Sequence, residues 1–308
     1  MEEKQDKDFH SGMVSIVGRP NVGKSTLLNL IVGEKVAIVS PIPQTTRNRV
    51  RGVYNDERSQ IVFIDTPGLH MSKDKLDQFM NRSAYGTTRD ADCIIHLVDA
   101  NDPVGPEEEK IVKKLAALKV AVVLGLNKVD LKGEFIHEYI ALWERVKGVA
   151  ITEIENFTIL PLSTKTGLHQ DKLIGILFDY LPQGPALYPR DTVCDIPQKM
   201  VIADIIREKL LGVMRQEVPH SLAVIVEEME PRQGKTIFIR ALILVERASQ
   251  KNIVIGKDGQ ILKKVGSMAR IEIENLIENK VFLDLYVKMK KKWRDDQALL
   301  MEMGYADL

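Results

Sequence analysis

Between two apolar runs, Met13-Val14-Ser15-Ile16-Val17 and Thr26-Leu27-Leu28-Asn29-Leu30-Ile31-Val32, the chain carries Gly18-Arg19-Pro20-Asn21-Val22-Gly23-Lys24-Ser25. This is the spacing G-x-x-x-x-G-K-[ST], and it restricts the fold more than any other stretch. The first run reads as a buried strand. The second has the spacing of a helix buried on one face, with Gly33 as its stop. The glycines let backbone N–H groups close around phosphate oxygens, and the helix N-terminus adds positive dipole. Gly18, Asn21, Val22, Gly23, Lys24, Ser25 and Thr26 are therefore the candidate phosphate contacts. Lys24 is expected at the β- and γ-phosphates and the Ser25 hydroxyl on Mg²⁺.

Later segments supply the rest of a nucleotide site. Residues 36–50 hold two prolines and a polar, basic run, which argues for an exposed loop. In a phosphate-loop GTPase a threonine here closes over Mg²⁺ and the γ-phosphate; Thr46 is the first candidate and Thr45 the second. Ser59–Ile64 reads as a strand that ends in Asp65-Thr66-Pro67-Gly68, with Asp65 lying 41 positions after Lys24. An acid at a strand's carboxyl end beside the phosphate loop holds the magnesium shell through water. Gly68 lets its backbone N–H approach the γ-phosphate. Residue 69 is leucine, which can neither donate nor accept a hydrogen bond to orient an attacking water, so intrinsic hydrolysis is expected to be slow. Residues 76–88 read as a helix. Cys93–Ala100 is a near-continuous apolar strand, in which His96 reads as a satisfied core histidine.

The strand Val120–Leu126 delivers Asn127-Lys128-Val129-Asp130, 62 positions after Asp65. The Asp130 carboxylate can accept from the guanine N1–H and its exocyclic amine. Adenine lacks the N1 donor, and polar sites of this kind discriminate by up to about 10⁴-fold. Asn127 can brace the loops, and the Lys128 stem can cover the base. Ser163, Thr164 and Lys165 follow the next strand, where backbone N–H groups can hold guanine O6. Strands alternating with helices over 13–181 predict a doubly wound, mostly parallel α/β sheet, with residues 1–12 as a tail.

Residues 182–198, rich in proline and glycine at their start, read as a linker. Residues 199–308 read as a smaller α+β domain: a helix at 200–216, strands at 221–230 and 236–246 joined by a turn at Gln233-Gly234-Lys235, two helices, a strand at 280–289 and a final helix. The two helices are joined by Ile255-Gly256-Lys257-Asp258-Gly259. A KH domain needs such a G-x-x-G loop, because two glycines let the backbone approach nucleic-acid phosphates. Helix–strand–strand–helix–loop–helix–strand is the order of a type II KH domain. Ile255, Gly256, Lys257, Asp258, Gly259, Lys263 and Lys264 are its candidate RNA contacts. Lys290, Lys291, Lys292, Trp293 and Arg294 form a second basic patch with one aromatic. With 43 basic and 43 acidic residues the formal net charge is zero, so any field that attracts RNA is local. The charged N-terminus lacks a signal-peptide core, no apolar run approaches a membrane span, and the expected location is the cytoplasm.

GRPNVGKS, PQTTR, DTPG and NKVD in this order resemble the Era and TrmE branch of the translation-factor-like GTPases, whose members also carry an apolar residue at the position of Leu69. The branch implies that Asn21 helps bind a monovalent cation such as K⁺. Its last motif reads Ser-Ala, where this chain has Ser163-Thr164. A GTPase domain followed by a linker and a KH domain resembles the Era type. That resemblance implies GTP-regulated binding to small-subunit ribosomal RNA near its 3′ end, a role in maturing the 30S subunit, and some peripheral contact with the inner face of the membrane, for which the sequence offers little support. The competing readings are a tRNA-modification GTPase of the TrmE type, whose C-terminal cysteine motif is absent here; a membrane or cell-cycle signalling GTPase; and a ribosome-associated RNA-binding protein with weak turnover.

Overall fold

The computed structural model describes residues 8–39, 50–65, 76, 90–214, 221–232 and 236–304. Among the described residues the chain forms two compact units, the first of residues 8–37, 50–65 and 90–195 and the second of 38–39, 76 and 196–304. The first holds a six-stranded sheet of β1 (His10–Val17), β2 (Val50–Asn55), β3 (Ser59–Asp65), β4 (Cys93–Asp99), β5 (Ala121–Asn127) and β6 (Phe157–Pro161), in the order β2-β3-β1-β4-β5-β6. Only β2 runs antiparallel to its neighbour. Every residue of β3 and β4 is buried, as expected of parallel strands covered on both faces. The helices include α1 (Lys24–Val32), α2 (Pro106–Ala116), α3 (Ile136–Lys147) and α4 (Gln170–Tyr180). Helix α2 opens on Pro106 with Glu107, Glu108 and Glu109 in its first turn and closes on Lys113 and Lys114, an arrangement that complements the helix dipole. The parallel direction brings the carboxyl ends of β1, β3, β5 and β6 to one edge, where ligands bind in such sheets.

Three features depart from the sequence expectation. Strand β1 starts at His10, inside the stretch expected as a tail. Its first residues are held by later chain: Ser11 N–H donates to Pro182 O at 3.1 Å and Gly184 N–H to Phe9 O at 3.0 Å. Strand β2 was not anticipated, because it is short and interrupted by Gly52. That glycine is required by packing, since a Cβ there would stand 2.6 Å from Leu28 Cδ1. Finally, the proline- and glycine-rich stretch is not free until residue 198. It is bonded along the first unit as far as Asp195. Val53 N–H donates to Val193 O at 2.9 Å, and Arg51 pairs with Asp195 at 2.9 Å. The fully buried Gln60 accepts from Leu187 N–H at 2.6 Å and Tyr188 N–H at 2.8 Å, and donates to Tyr188 O at 2.8 Å. This strap covers part of the open side of edge strand β2.

The second unit is a three-stranded sheet of β7 (Ala223–Arg232), β8 (Thr236–Val245) and β9 (Lys280–Met289), in which β8 pairs antiparallel with β7 and parallel with β9. Helices α5 (Gln198–Val213), α6 (Ala248–Ile255) and α7 (Gln260–Ile277) pack on one face. The core joins Ile202, Ile206 and Leu210 of α5, Ile239, Ala241 and Ile243 of β8, and Val265, Ala269 and Ile273 of α7. These spacings are those of helices buried on one side and a strand alternating in and out. A short helix α8 (Gln297–Glu302) closes the unit, with Leu299 and Leu300 buried. The order is that of a type II KH domain. Of the expected helix over 76–88 only Leu76 is described, as helical and buried, and the turn at 233–235 lies outside the described residues.

Candidate nucleotide site and nucleic-acid interface

The phosphate loop leaves the sheet where β1 ends. A Cβ on Gly18 would overlap Leu97 O, so only glycine lets the chain turn away there. Asn21 and Gly23 adopt left-handed backbone at φ 63° and 105°. Gly23 is the N-cap of α1 and no side chain caps the helix, whose positive dipole end suits an anion. Thr26 lies in that turn. Lys24 is buried and donates from Nζ to Gly18 O at 3.0 Å and Arg19 O at 2.8 Å. Burial lowers its pKa to about 8, against the opposing pull of the Asp65 and Glu108 charges. Ser25 Oγ donates to Asp65 Oδ2 at 2.6 Å, and Asp65 is fully buried. A hydroxyl and a carboxylate side by side are the hard oxygen donors that suit Mg²⁺. Thr45, Thr46, Gly68 and Leu69 lie outside the described residues.

Asn127 ties the phosphate loop to the base loops. Its Nδ2 donates to Val22 O at 2.7 Å and Thr164 Oγ1 at 3.1 Å, and its Oδ1 accepts from Thr164 N–H at 2.9 Å. Lys128 takes a left-handed backbone at φ 64° and pairs with Asp99 at 2.5 Å. Asn101 holds the same loop, donating to Lys128 O at 2.9 Å and accepting from Lys132 N–H and Gly133 N–H. Asp99 and Asn101 were missed by the sequence reading; an acid and an amide at the end of an apolar strand are their only signal. Asp130 is exposed. Of the three N–H groups expected at guanine O6, that of Ser163 is bonded to Leu168 O and that of Thr164 to Asn127. Lys165 is exposed.

In the second unit the loop after α6 bends through Gly256 at φ 76°, Asp258 at 50° and Gly259 at 73°. Gly259 is the N-cap of α7, and no side chain caps that helix either. Lys257 and Asp258 are exposed, and Ile255 is half-buried behind them. Beside the loop, α7 and β9 bound a groove of about 440 Å³ lined by Gly259, Leu262, Lys263, Gly266, Arg270 and residues 281–285. Its lining mixes apolar side chains with Lys263, Arg270 and Asp284, a surface that suits unstacked bases and their phosphates. Lys264 is exposed on the same helix but does not line the groove. Arg270 and Phe282, the latter 59% exposed, belong to the groove and were missed. Arg270 stands seven residues after Lys263 on one helix face, which is the signal that could have found it.

The second basic patch needs correction. Trp293 is fully buried and donates from Nε1 to Ser221 O at 2.9 Å, so it anchors the C-terminal segment and cannot stack on a base. Lys290 pairs with Asp296 at 2.6 Å, and its N–H donates to Val245 O. Arg294 is half-buried, and Lys291 and Lys292 are exposed.

Known proteins repeat this arrangement. The family model described as "50S ribosome-binding GTPase" matches residues 13–128 and the KH domain model matches 217–294. GTPase Era of Halothermothrix orenii is 45% identical over 297 residues, covering 96% of this chain and 99% of the relative. GTPase Era of Geobacter metallireducens is 46% identical over 303 residues, covering 97% and 99%. Two solved structures, a point variant of Aquifex aeolicus Era bound to GDP·AlF₄⁻ and Era in complex with MgGDPNP and nucleotides 1506–1542 of 16S ribosomal RNA, each align at TM-score 0.89 and 37% identity over 97% of this chain and all of theirs. A phosphate loop, a loop corner braced by Asn127 and a KH domain thus occur in one chain with relatives that match it from end to end, and the chain belongs to the Era family of GTPases.

Proposed function

We propose that this GTPase uses its nucleotide state to control a grip on single-stranded small-subunit ribosomal RNA near the 3′ end, in the service of 30S assembly. The observation that carries this reading is the Gly256–Gly259 loop, bent outward through left-handed backbone beside the α7–β9 groove. The 16S RNA held by a solved relative favours the small subunit over the 50S named in the family model.

In this reading Lys24 and the α1 N-terminus hold the phosphates. Asp130 accepts from guanine N1–H and the amine, Lys165 N–H meets O6, the Lys128 stem covers the ring and Asn127 braces both loops. Ser25, Thr46 and, through water, Asp65 hold Mg²⁺, whose charge when bound offsets that on the β- and γ-phosphate oxygens. Thr46 and the Gly68 N–H answer to the γ-phosphate, so the loops around them relax after hydrolysis. Leu69 cannot orient water, and the pure protein turns over slowly. A monovalent cation such as K⁺ at Asn21 belongs to the same site; turnover in K⁺ against Na⁺ tests it. Ribosomal work places the protein in the cytoplasm. No described helix is long and apolar enough to cross a membrane, and no membrane role is proposed.

The test is crosslinking to cellular RNA with GTP or GDP bound. Enrichment of the 3′ end of small-subunit RNA that depends on the nucleotide is expected. No enrichment of ribosomal RNA in either state refutes the reading.

A further inference from the structure

Behind the phosphate loop runs a chain of buried polar groups that the nucleotide contacts leave unused. We propose that His96, Glu108 and Arg19 form a positioning network that sets the phosphate loop and the peptide on which Lys24 rests; this rests on the GTP site proposed above. Trp143 Nε1 donates to His96 Nδ1 at 3.2 Å. An indole N–H only donates, so Nδ1 presents a lone pair. The hydrogen sits on Nε2, which donates to Glu108 Oε1 at 2.7 Å. The other carboxylate oxygen, Oε2, stands 2.7 Å from Arg19 Nε. Arg19 also donates from Nη2 to Tyr139 OH at 2.7 Å and Pro103 O at 3.2 Å. Tyr139 OH in turn donates to Asp102 O at 2.9 Å. One residue of the loop is thereby gripped from α2, from α3 and from the segment after β4.

One consequence reaches the nucleotide. The Arg19 carbonyl accepts from Lys24 Nζ at 2.8 Å, so fixing the guanidinium fixes the peptide on which Lys24 rests. Glu108 holds the Arg19 guanidinium by charge only while ionised. Its burial pushes the carboxyl up, and the His96 hydrogen bond and the Arg19 charge more than reverse this, leaving it below the ordinary range. A buried ion pair is seldom the most stable way to fill such space. Its worth here is where it holds the loop.

The test titrates the full-length protein with GDP by calorimetry at about pH 7 and follows its thermal unfolding. Glu108→Gln should weaken GDP about tenfold, the size of a small misplacement of the loop. Arg19→Met combined with Glu108→Gln removes the stranded guanidinium. It should regain thermal stability yet keep the weak binding, and it decides alone if Glu108→Gln does not fold. Wild-type affinity in the variants overturns the proposal. So does a double variant that recovers affinity together with stability, because the network would then be structural only. A wild-type protein that binds no GDP instead removes the nucleotide reading itself.

Discussion

Asn127→Ala should damage the nucleotide site from the inside. The side chain makes three hydrogen bonds, to Val22 O, Thr164 Oγ1 and Thr164 N–H. The threonine hydroxyl can rotate to another partner. Val22 O and Thr164 N–H belong to residues 1% and 8% exposed and have no such freedom. Each stranded buried group costs about 1–3 kcal/mol, which gives about 2–6 kcal/mol in all. That is a large part of the roughly 5–15 kcal/mol that holds a domain together. The loss divides between the free protein and the complex, because GDP requires both loops in register. Even about 2 kcal/mol carried wholly by binding is about thirtyfold in Kd. Urea unfolding of the free protein and calorimetric titration with GDP measure the two shares. Asp130→Ala is the control: the residue is exposed, so guanine affinity should fall while the unfolding midpoint stays. An Asn127→Ala protein with an unchanged midpoint and GDP affinity within about threefold of wild type would refute the account, as would an equal loss of stability in Asp130→Ala.

Lys24 sits near 8 in the free protein and at 10.5 in an open chain, so at neutral pH folding disfavours its charged form by about 3 kcal/mol. That penalty is full below pH 8 and lifts as pH rises toward 10.5, while GDP requires the charge. Binding at about pH 9 should therefore take up nearly one proton and binding at about pH 6.5 none, read as buffer-dependent enthalpies at the higher pH alone. In the KH loop, Gly259→Ala meets open space and costs only its left-handed backbone, about 1–2 kcal/mol. Gly256→Ala adds a contact of 2.6 Å with Ile261 Cγ1 and should lower the thermal midpoint further; both should weaken RNA binding in gel shifts. Trp293→Ala should destabilise by about 3–5 kcal/mol. Alanine at Lys291 and Lys292 should leave stability alone and flatten the salt dependence of RNA affinity by up to about two counterions.

The nucleotide site was legible because its motifs are local. Gly18 to Ser25 is one strand-to-helix turn, and Asp65 and Asn127 end apolar strands whose parallel direction forces them to one edge. The KH groove was half legible. Its glycine loop announces itself, whereas Arg270 and Phe282 become groove residues only when α7 folds against β9. Trp293 misled because a lysine run disguised a core anchor, and local composition cannot tell which residue of five turns inward. His96 read correctly as a satisfied core histidine, but its partners Glu108 and Trp143 lie on two different helices, and no spacing in the chain marks that meeting. The strap was illegible for the same reason: its hydrogen bonds span more than a hundred residues.

Gln60 and the strap it stitches change what residues 182–195 are for. A flexible run of glycine and serine of the same length would preserve reach between the halves of the chain, yet it would bare a row of hungry amides on an outer strand and invite copies to zip together. Lengthening or shortening this stretch should therefore show as aggregation before it shows as a fault in signalling.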